Sequence, residues 1–156
     1  GDAGVMDDEG HITITDRIKD LMKTSGGKYV APQPIESLLT NDNLIEQAIL
    51  IGDDKPYVTA LLVPNYEILK EHARSLNLTY HTIEELIEKS HIRELYEEKL
   101  EQLQKSLANF ERIKKFKLLP EDFSMQLGEL TPTLKIRRQI IIQRFSGVID
   151  EMYAFA

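Results

Sequence analysis

Residues 16–32 read Asp-Arg-Ile-Lys-Asp-Leu-Met-Lys-Thr-Ser-Gly-Gly-Lys-Tyr-Val-Ala-Pro, and the rest of the chain is organised around this stretch. Four of its first five residues are charged, which is too polar for burial unless each charge is paired. Gly26 and Gly27 lack a β-carbon, so the backbone there can take positive φ or lie close to a ligand. Pro32 is typical of the first turn of a helix. The pattern predicts a loop between two ordered elements, and it allows two interpretations, a plain Gly-Gly turn or a ligand-facing loop.

The residue types present disfavour several functional classes. A nucleotide-triphosphate loop of the Gly-x-x-x-x-Gly-Lys-[Ser/Thr] type would need Gly and a hydroxyl residue where the chain has Met22 and Tyr29. The chain contains no Cys, which excludes disulfides and a thiolate nucleophile. With 19 basic against 26 acidic residues and a net charge of −7, nucleic-acid binding is not expected. No metal site is expected in this chain, because its histidines lack the spacing of a metal motif. These are His11, His72, His81 and His91.

Length and composition predict one folded domain. The chain has 156 residues, of which 42% are hydrophobic and 29% charged, enough for a real core. It has neither an apolar run long enough to span a membrane nor a secretory leader pattern. We therefore expect a cytoplasmic protein, with peripheral association with a membrane left open. Because the first residue is Gly1 and not Met, we also expect the chain to be a piece of a longer protein.

The periodicity of apolar residues predicts an α+β fold, with a small mixed sheet, a short N-terminal hairpin and flanking helices that include a long amphipathic one. Thr82 and Glu85 have the spacing of a capping box that opens a helix. The predicted segments are a hairpin at 5–15, a helix from Pro32 to about 41–43, antiparallel strands at 45–51 and 57–63, helices within 66–113 of which the longest spans 92–110, a strand at 115–119, an irregular segment at 120–132 and a helix at 136–153.

A second candidate site lies near the end of the chain, in Leu-Thr-Pro-Thr-Leu-Lys at 130–135. Pro132 forbids a continuous helix, so Lys135 is expected on a turn or just inside the last helix, where its side chain can project. A cation near a helix N-terminus runs against the helix macrodipole. Since local rules tend to be broken at functional sites, this conflict favours a functional lysine over a basic helix start.

Together these motifs resemble the small C-terminal domain of the adenylate-forming enzymes, specifically that of long-chain fatty acyl-CoA synthetases. Leu134 stands where shorter-chain relatives have the Gly of a Gly-Lys pair, which favours a long-chain acid. Four motifs occur in family order: Gly1-Asp2-x-Gly4 with Asp8-x-Gly10, Asp16-Arg17-Ile18-Lys19-Asp20, Thr24 to Pro32 followed by Ile35-Glu36, and Leu130 to Lys135.

The resemblance implies a division of the chain and a role for each motif. Residues 1–15 would end a large N-terminal domain, 16–20 would form the hinge linker, and 21–156 would form the small C-terminal domain. The implied roles are Lys135 as the catalytic lysine of adenylation, Asp2 and Arg17 as nucleotide-binding residues, Asp16, Lys19 and Asp20 as the hinge, and Gly26, Gly27, Lys28 and Tyr29 as the CoA loop of the thioester step.

The implied reaction has two steps. A fatty acid and ATP give an acyl-adenylate and diphosphate, and the CoA thiol then displaces AMP. ATP and CoA are thus the implied co-substrates, Mg²⁺ would be held mainly by the large domain, and that domain is the implied partner. The isolated fragment is expected to be inactive.

Two alternatives stay open at this point. The first is a fatty acyl-AMP ligase or acyl-carrier-protein synthetase domain, which would hand the acyl group to a carrier protein. The second is a non-catalytic interaction module built on the long acidic helix.

Overall fold

The structure is a computed structural model and describes residues 21–133 and 136–154. The predicted hairpin at 5–15 lies outside these residues. The strands are β1 (Met22–Lys23), β2 (Tyr29–Val30), β3 (Ile45–Ile51), β4 (Val58–Pro64) and β5 (Ile113–Leu118). The helices are α1 (Pro32–Thr40), α2 (Tyr66–Ser75), α3 (Ile83–Ile87), α4 (Ser90–Leu103), a 3₁₀ turn (Asn109–Glu111), α5 (Arg138–Arg144) and α6 (Ser146–Tyr153).

A three-stranded mixed sheet in the order β3-β4-β5 forms the centre of the fold. β3 and β4 are antiparallel, with Ile49 opposite Leu61, whereas β4 and β5 are parallel, with Ala60 opposite Phe116. All seven residues of β4 are buried, because this strand is central and both of its faces are covered. The α+β fold with a small mixed sheet is confirmed, and so is the antiparallel strand pair.

One face of the sheet is covered by α1, α2 and α4. The side chains of Leu39, Leu69 and Tyr96 pack there against alternate residues of the strands. Tyr96 is fully buried, and its hydroxyl donates a 2.7 Å hydrogen bond to the carbonyl oxygen of Leu44, just before β3. The hydroxyl therefore ties the long helix to the sheet.

The long amphipathic helix is confirmed, although α4 ends at Leu103 and does not reach 110. The side chain of Gln104, the residue after the helix, is buried and accepts the backbone N–H of Ile113. This contact joins the end of the helix to the first residue of β5. One half of the predicted capping box of the preceding helix α3 is present, since the Thr82 hydroxyl accepts the N–H of Glu85 at 3.1 Å. The other half differs, because the Glu85 carboxylate accepts the N–H of His81, at 3.2 Å, and not that of Thr82.

The opposite face of the sheet is covered by α5, α6 and the irregular segment before them, with Phe123, Ile141 and Ile149 at the centre of this second core. The prediction of one continuous helix at 136–153 is wrong, since α5 and α6 meet at Phe145, where φ is −104° and ψ is 24°. Ser146 and Gly147 follow at once, and their low helix propensity accounts for the position of the break. Within the described ranges, no helix has both the length and the apolar character needed to cross a bilayer.

Candidate functional site

The Gly-Gly loop, residues 24–28, is the tip of a small hairpin. Met22 pairs with Val30 and Lys23 with Tyr29 on the two sides of it. The buried Thr24 closes the loop, because its N–H donates to the carbonyl oxygen of Lys28 at 2.9 Å and its hydroxyl contacts both the N–H and the carbonyl of Lys28 at 3.2 Å. Gly27 has a φ of 86°, which residues with a β-carbon rarely adopt. The predicted Gly-Gly turn is therefore a defined structure.

This loop is both anchored and open. It is anchored on the turn between β3 and β4, since the N–H of Ser25 donates to the carbonyl oxygen of Lys55 at 2.9 Å and the N–H of Lys23 donates to Asp53 Oδ1 at 3.0 Å. It is open because a β-carbon placed on Gly26 or Gly27 would have no neighbouring atom within 4 Å. The bare backbone of these two glycines leaves room for a ligand or a partner to lie against it.

Lys28 and Tyr29 complete the loop at the surface. The Lys28 ammonium lies 5.6 Å from the centre of the Phe110 ring, and the Lys23 ammonium lies 5.8 Å from that of the Tyr29 ring. The Tyr29 side chain is 57% exposed. Exposed cation–π contacts of this kind are worth about 0.5–1 kcal/mol, so they orient these side chains without locking them.

The lysine loop, residues 130–136, is closed at its base. Leu130 pairs with Ile136 in an antiparallel bridge, and the N–H of Arg137 donates to the carbonyl oxygen of Glu129 at 2.8 Å. Lys135 lies outside the described residues, although both ends of its loop are defined. The other predicted site residues outside the described ranges are Asp2, Asp16, Arg17, Lys19 and Asp20.

A buried ion pair that the sequence analysis missed holds the first end of the lysine loop. The Glu129 side chain is completely buried, and its carboxylate accepts the N–H of Ser124 at 2.8 Å and a short hydrogen bond from Arg144. This bond to Glu129 raises the pKa of the Arg144 guanidinium above its ordinary value, against the opposing effect of burial. Arg144 thus joins α5 to the residue before the lysine loop.

A second missed ion pair holds the other end. Arg138, the first residue of α5, makes a forked contact with Glu36 of α1, at 2.6 Å to Oε2 and 3.2 Å to Oε1. The N–H of Leu50 donates to the same Oε2 at 2.7 Å, and its carbonyl oxygen accepts from Arg138 at 2.9 Å. The burial of Glu36 could have been predicted from the sequence, because Glu36 follows Ile35 on the face of α1 that also contains the buried residues Pro32 and Leu39.

One cleft borders the first strand of the Gly-Gly hairpin and the end of the lysine loop. It has a volume of about 790 Å³ and lies between the base of the Gly-Gly hairpin and the helices α5 and α6. Leu21 and Met22 line it on one side, and Ile136 and Arg137 line it on the other. The structure therefore brings the start of the described domain and the end of the lysine loop to one surface. The Gly-Gly loop at 24–28 and Tyr29 lie outside this lining.

A comparison with protein families gives one match over nearly the whole chain. Residues 19–156 match the AMP-binding enzyme C-terminal domain. This fold, with its exposed Gly-Gly loop and closed lysine loop, is therefore that of an adenylate-forming C-terminal domain. The chain belongs to the AMP-binding enzyme C-terminal domain family, which confirms the resemblance drawn from its motifs.

Similar sequences include long-chain-fatty-acid–CoA ligases. FadD15 of Mycobacterium tuberculosis is 34% identical over 154 residues, which cover 98% of this chain and 26% of that protein. The human ligase ACSBG1 is 32% identical in an alignment 171 residues long, which covers 98% of this chain and 24% of that protein. The chain thus spans about a quarter of the length of these relatives.

Similar solved structures agree in fold. The adenylation domain of a carboxylate reductase from Mycobacterium chelonae has a TM-score of 0.72 at 23% identity, over 88% of this chain and 20% of that one. A Mycobacterium tuberculosis fatty acyl CoA synthetase has a TM-score of 0.52 at 19% identity, over 85% of this chain and 21% of that one. At these identities the likeness establishes the fold.

Proposed function

We propose that this chain is the C-terminal domain of an ATP-dependent long-chain fatty acid–CoA ligase. The observation that carries the proposal is the family match over residues 19–156, joined to long-chain-fatty-acid–CoA ligases that align with 98% of the chain. The whole enzyme would convert a fatty acid, ATP and CoA into acyl-CoA, AMP and diphosphate. In this proposal residues 1–15 end the large domain, 16–20 form the hinge and 21–156 form the small domain.

Lys135 serves the first step. A carboxylate must approach the α-phosphate of ATP, and both groups are anions. A positioned ammonium between their oxygens offsets the repulsion and the charge that develops in the transition state. Lysine suits this task because it carries a compact charge on a flexible stem. The closed base of the lysine loop supports the assignment, since it fixes both ends of the segment that carries Lys135.

The Gly-Gly loop serves the second step. The small domain turns about the hinge residues Asp16, Lys19 and Asp20, which withdraws Lys135 and brings the loop toward the reacting carbonyl. Domain rotation of this type commonly gates turnover. The open space over Gly26 and Gly27 supports this role, because a narrow pantetheine arm can lie along bare backbone.

The remaining loop residues and the nucleotide contacts complete the assignment. Lys28 and Tyr29 flank the path of the CoA arm, while Asp2 and Arg17 contact the ribose and phosphate side of the nucleotide. Mg²⁺ is held mainly by the large domain; among residues 21–133 and 136–154 no three acidic or histidine side chains gather as a metal site would require. Because the proposed reaction needs the large domain, the 156-residue chain alone is expected to form no thioester.

The test uses the full-length ligase with Lys135→Ala. Acyl-adenylate formation from ATP is measured first, and acyl-CoA formation from supplied acyl-adenylate is measured separately. Losing such a charge stabiliser costs about 10² to 10³ in rate, so the first step should fall by that factor while the second survives. If both steps persist, the chain shares the fold without this chemistry.

A further inference from the structure

We propose that Glu36 and Arg138 are positioning residues for Lys135. Their ion pair holds the start of α5, and with it the lysine loop, in a fixed relation to α1 and the Gly-Gly loop during adenylation. The inference rests on the proposed function and adds two residues to it. Neither side chain needs to touch a substrate for this role.

The ion pair joins three parts of the fold that are distant in sequence. Glu36 and Arg138 are 102 residues apart, and between them they bind both the N–H and the carbonyl oxygen of Leu50. Leu50 lies on β3, which is an edge strand of the sheet. The four hydrogen bonds therefore fasten the first residue of α5 to the sheet edge and to the middle of α1.

The pair is well placed to act on the lysine loop. Arg138 follows Lys135 by three residues, and the intervening Arg137 is bonded to Glu129 across the base of the loop. On the other side, Glu36 lies on the helix that begins two residues after β2, the second strand of the Gly-Gly hairpin. Short chain segments and the hydrogen bonds of the ion pair therefore connect the two loops that act in the two steps of the proposed mechanism.

The two helices depend on the pair to different degrees. α1 buries Ile35 and Leu39 in the core, so its position is set by apolar packing as well. α5 has seven residues, all described, of which Ile141 is the buried one. Losing the pair should therefore shift α5 and the lysine loop while α1 and the Gly-Gly loop stay in place.

The chemistry of the pair favours a positioning role over a purely stabilising one. Glu36 is 8% exposed, and a charge pair at this depth loses much of its attraction to desolvation. Two parallel N–H···O contacts, however, set the direction of the guanidinium as well as its distance. A displacement of about 1 Å at a reacting group can cost on the order of 10²-fold in rate. Arg138→Gln should thus slow adenylation about 100-fold.

The experiment compares variants of the full-length ligase in the two separate steps. Arg138→Gln and Glu36→Gln each break the charge pair. Arg138→Lys keeps the positive charge but loses the two parallel hydrogen bonds of the guanidinium. Glu88→Gln is the matched control, because it removes an exposed ion pair with Lys117 that is distant in sequence from the lysine loop. Lys135→Ala is run alongside, and circular dichroism verifies that each variant is folded.

The expected result is a loss of about 100-fold in acyl-adenylate formation for Arg138→Gln, a smaller loss for Glu36→Gln and partial rescue by Arg138→Lys. Thioester formation from supplied acyl-adenylate should stay within about threefold, and Glu88→Gln should match the wild type. An equal fall in both steps, or no fall in either, overturns the inference. If Arg138→Gln does not fold, Glu36→Gln and Arg138→Lys decide by the same criterion. If Lys135→Ala itself leaves adenylation intact, the proposed function is wrong, and not only the positioning role of the ion pair.

Discussion

Replacing Arg144 by Gln should destabilise the domain by about 3 kcal/mol, because it leaves the carboxylate of Glu129 buried without its cation. The Glu129 side chain has no exposed surface, and apart from Arg144 it accepts a hydrogen bond from the N–H of Ser124. Removing one member of a buried ion pair typically costs about 3–5 kcal/mol. The Arg144 side chain is 34% exposed, so water can replace part of the lost contact, which places the expected cost at the lower end.

The assay is urea unfolding of the 156-residue chain followed by far-ultraviolet circular dichroism, since the chain has no Trp. With an m-value of about 2 kcal/mol per molar urea, a loss of about 3 kcal/mol lowers the midpoint by about 1.5 M. Glu121→Gln is the control, because Glu121 is the other partner of Arg144, at 3.3 Å, and is 72% exposed. Its loss should cost no more than about 1 kcal/mol. Equal midpoints for the two variants would refute the reasoning.

Three further predictions concern the alkaline stability, the Gly-Gly loop and the acyl acceptor. Burial raises the pKa of Tyr153 from 10.0 to about 12, so the folded chain keeps this proton after the unfolded chain has lost it. Stability should therefore fall as the pH rises from about 10 to about 12. Tyr153→Phe should make this fall in the urea midpoints less steep without abolishing it, because burial also raises the pKa of Tyr66 and of Tyr96. Gly27→Ala should lower the free energy of unfolding, measured in urea, by about 1 kcal/mol, because the φ of 86° is unfavourable for alanine although its β-carbon would meet no other atom. Gly26→Ala should leave the free energy of unfolding almost unchanged. Finally, the full-length ligase should transfer the acyl group to free CoA in preference to a holo-carrier protein, and the opposite preference in a direct competition would favour the carrier-protein alternative.

Much of the fold could be predicted because its signals are local. Runs of apolar residues at 45–51 and 57–63 are too short for helices and are separated by a turn, so the antiparallel pair followed from the sequence. The start of α1 at Pro32 and the cap at Thr82 are also local signals. The break at Phe145 was missed, because apolar residues at helical spacing continue through it from Ile141 to Met152.

The candidate site could be predicted only in part. Gly26 and Gly27 were identifiable because a missing β-carbon is visible in the sequence itself, and the structure adds that Gly27 has positive φ. Arg138 looked like any other surface cation in the basic run at 137–138, whereas the structure pairs it with Glu36. Lys117, another cation at the surface, pairs with Glu88 at 3.3 Å.

By itself, the sequence determined the class of fold, the order of the motifs and the residue types available to each loop, because periodicity, turn chemistry and motif spacing are short-range properties of the chain. Only the tertiary structure decided which charges meet. Glu36 and Arg138 lie 102 residues apart and Glu129 and Arg144 lie 15 apart, and each carboxylate needs its arginine because the packed core excludes water from it. Burial is a property of the whole assembly of helices and sheet, so the two ion pairs that fasten the lysine loop exist only once that assembly has formed.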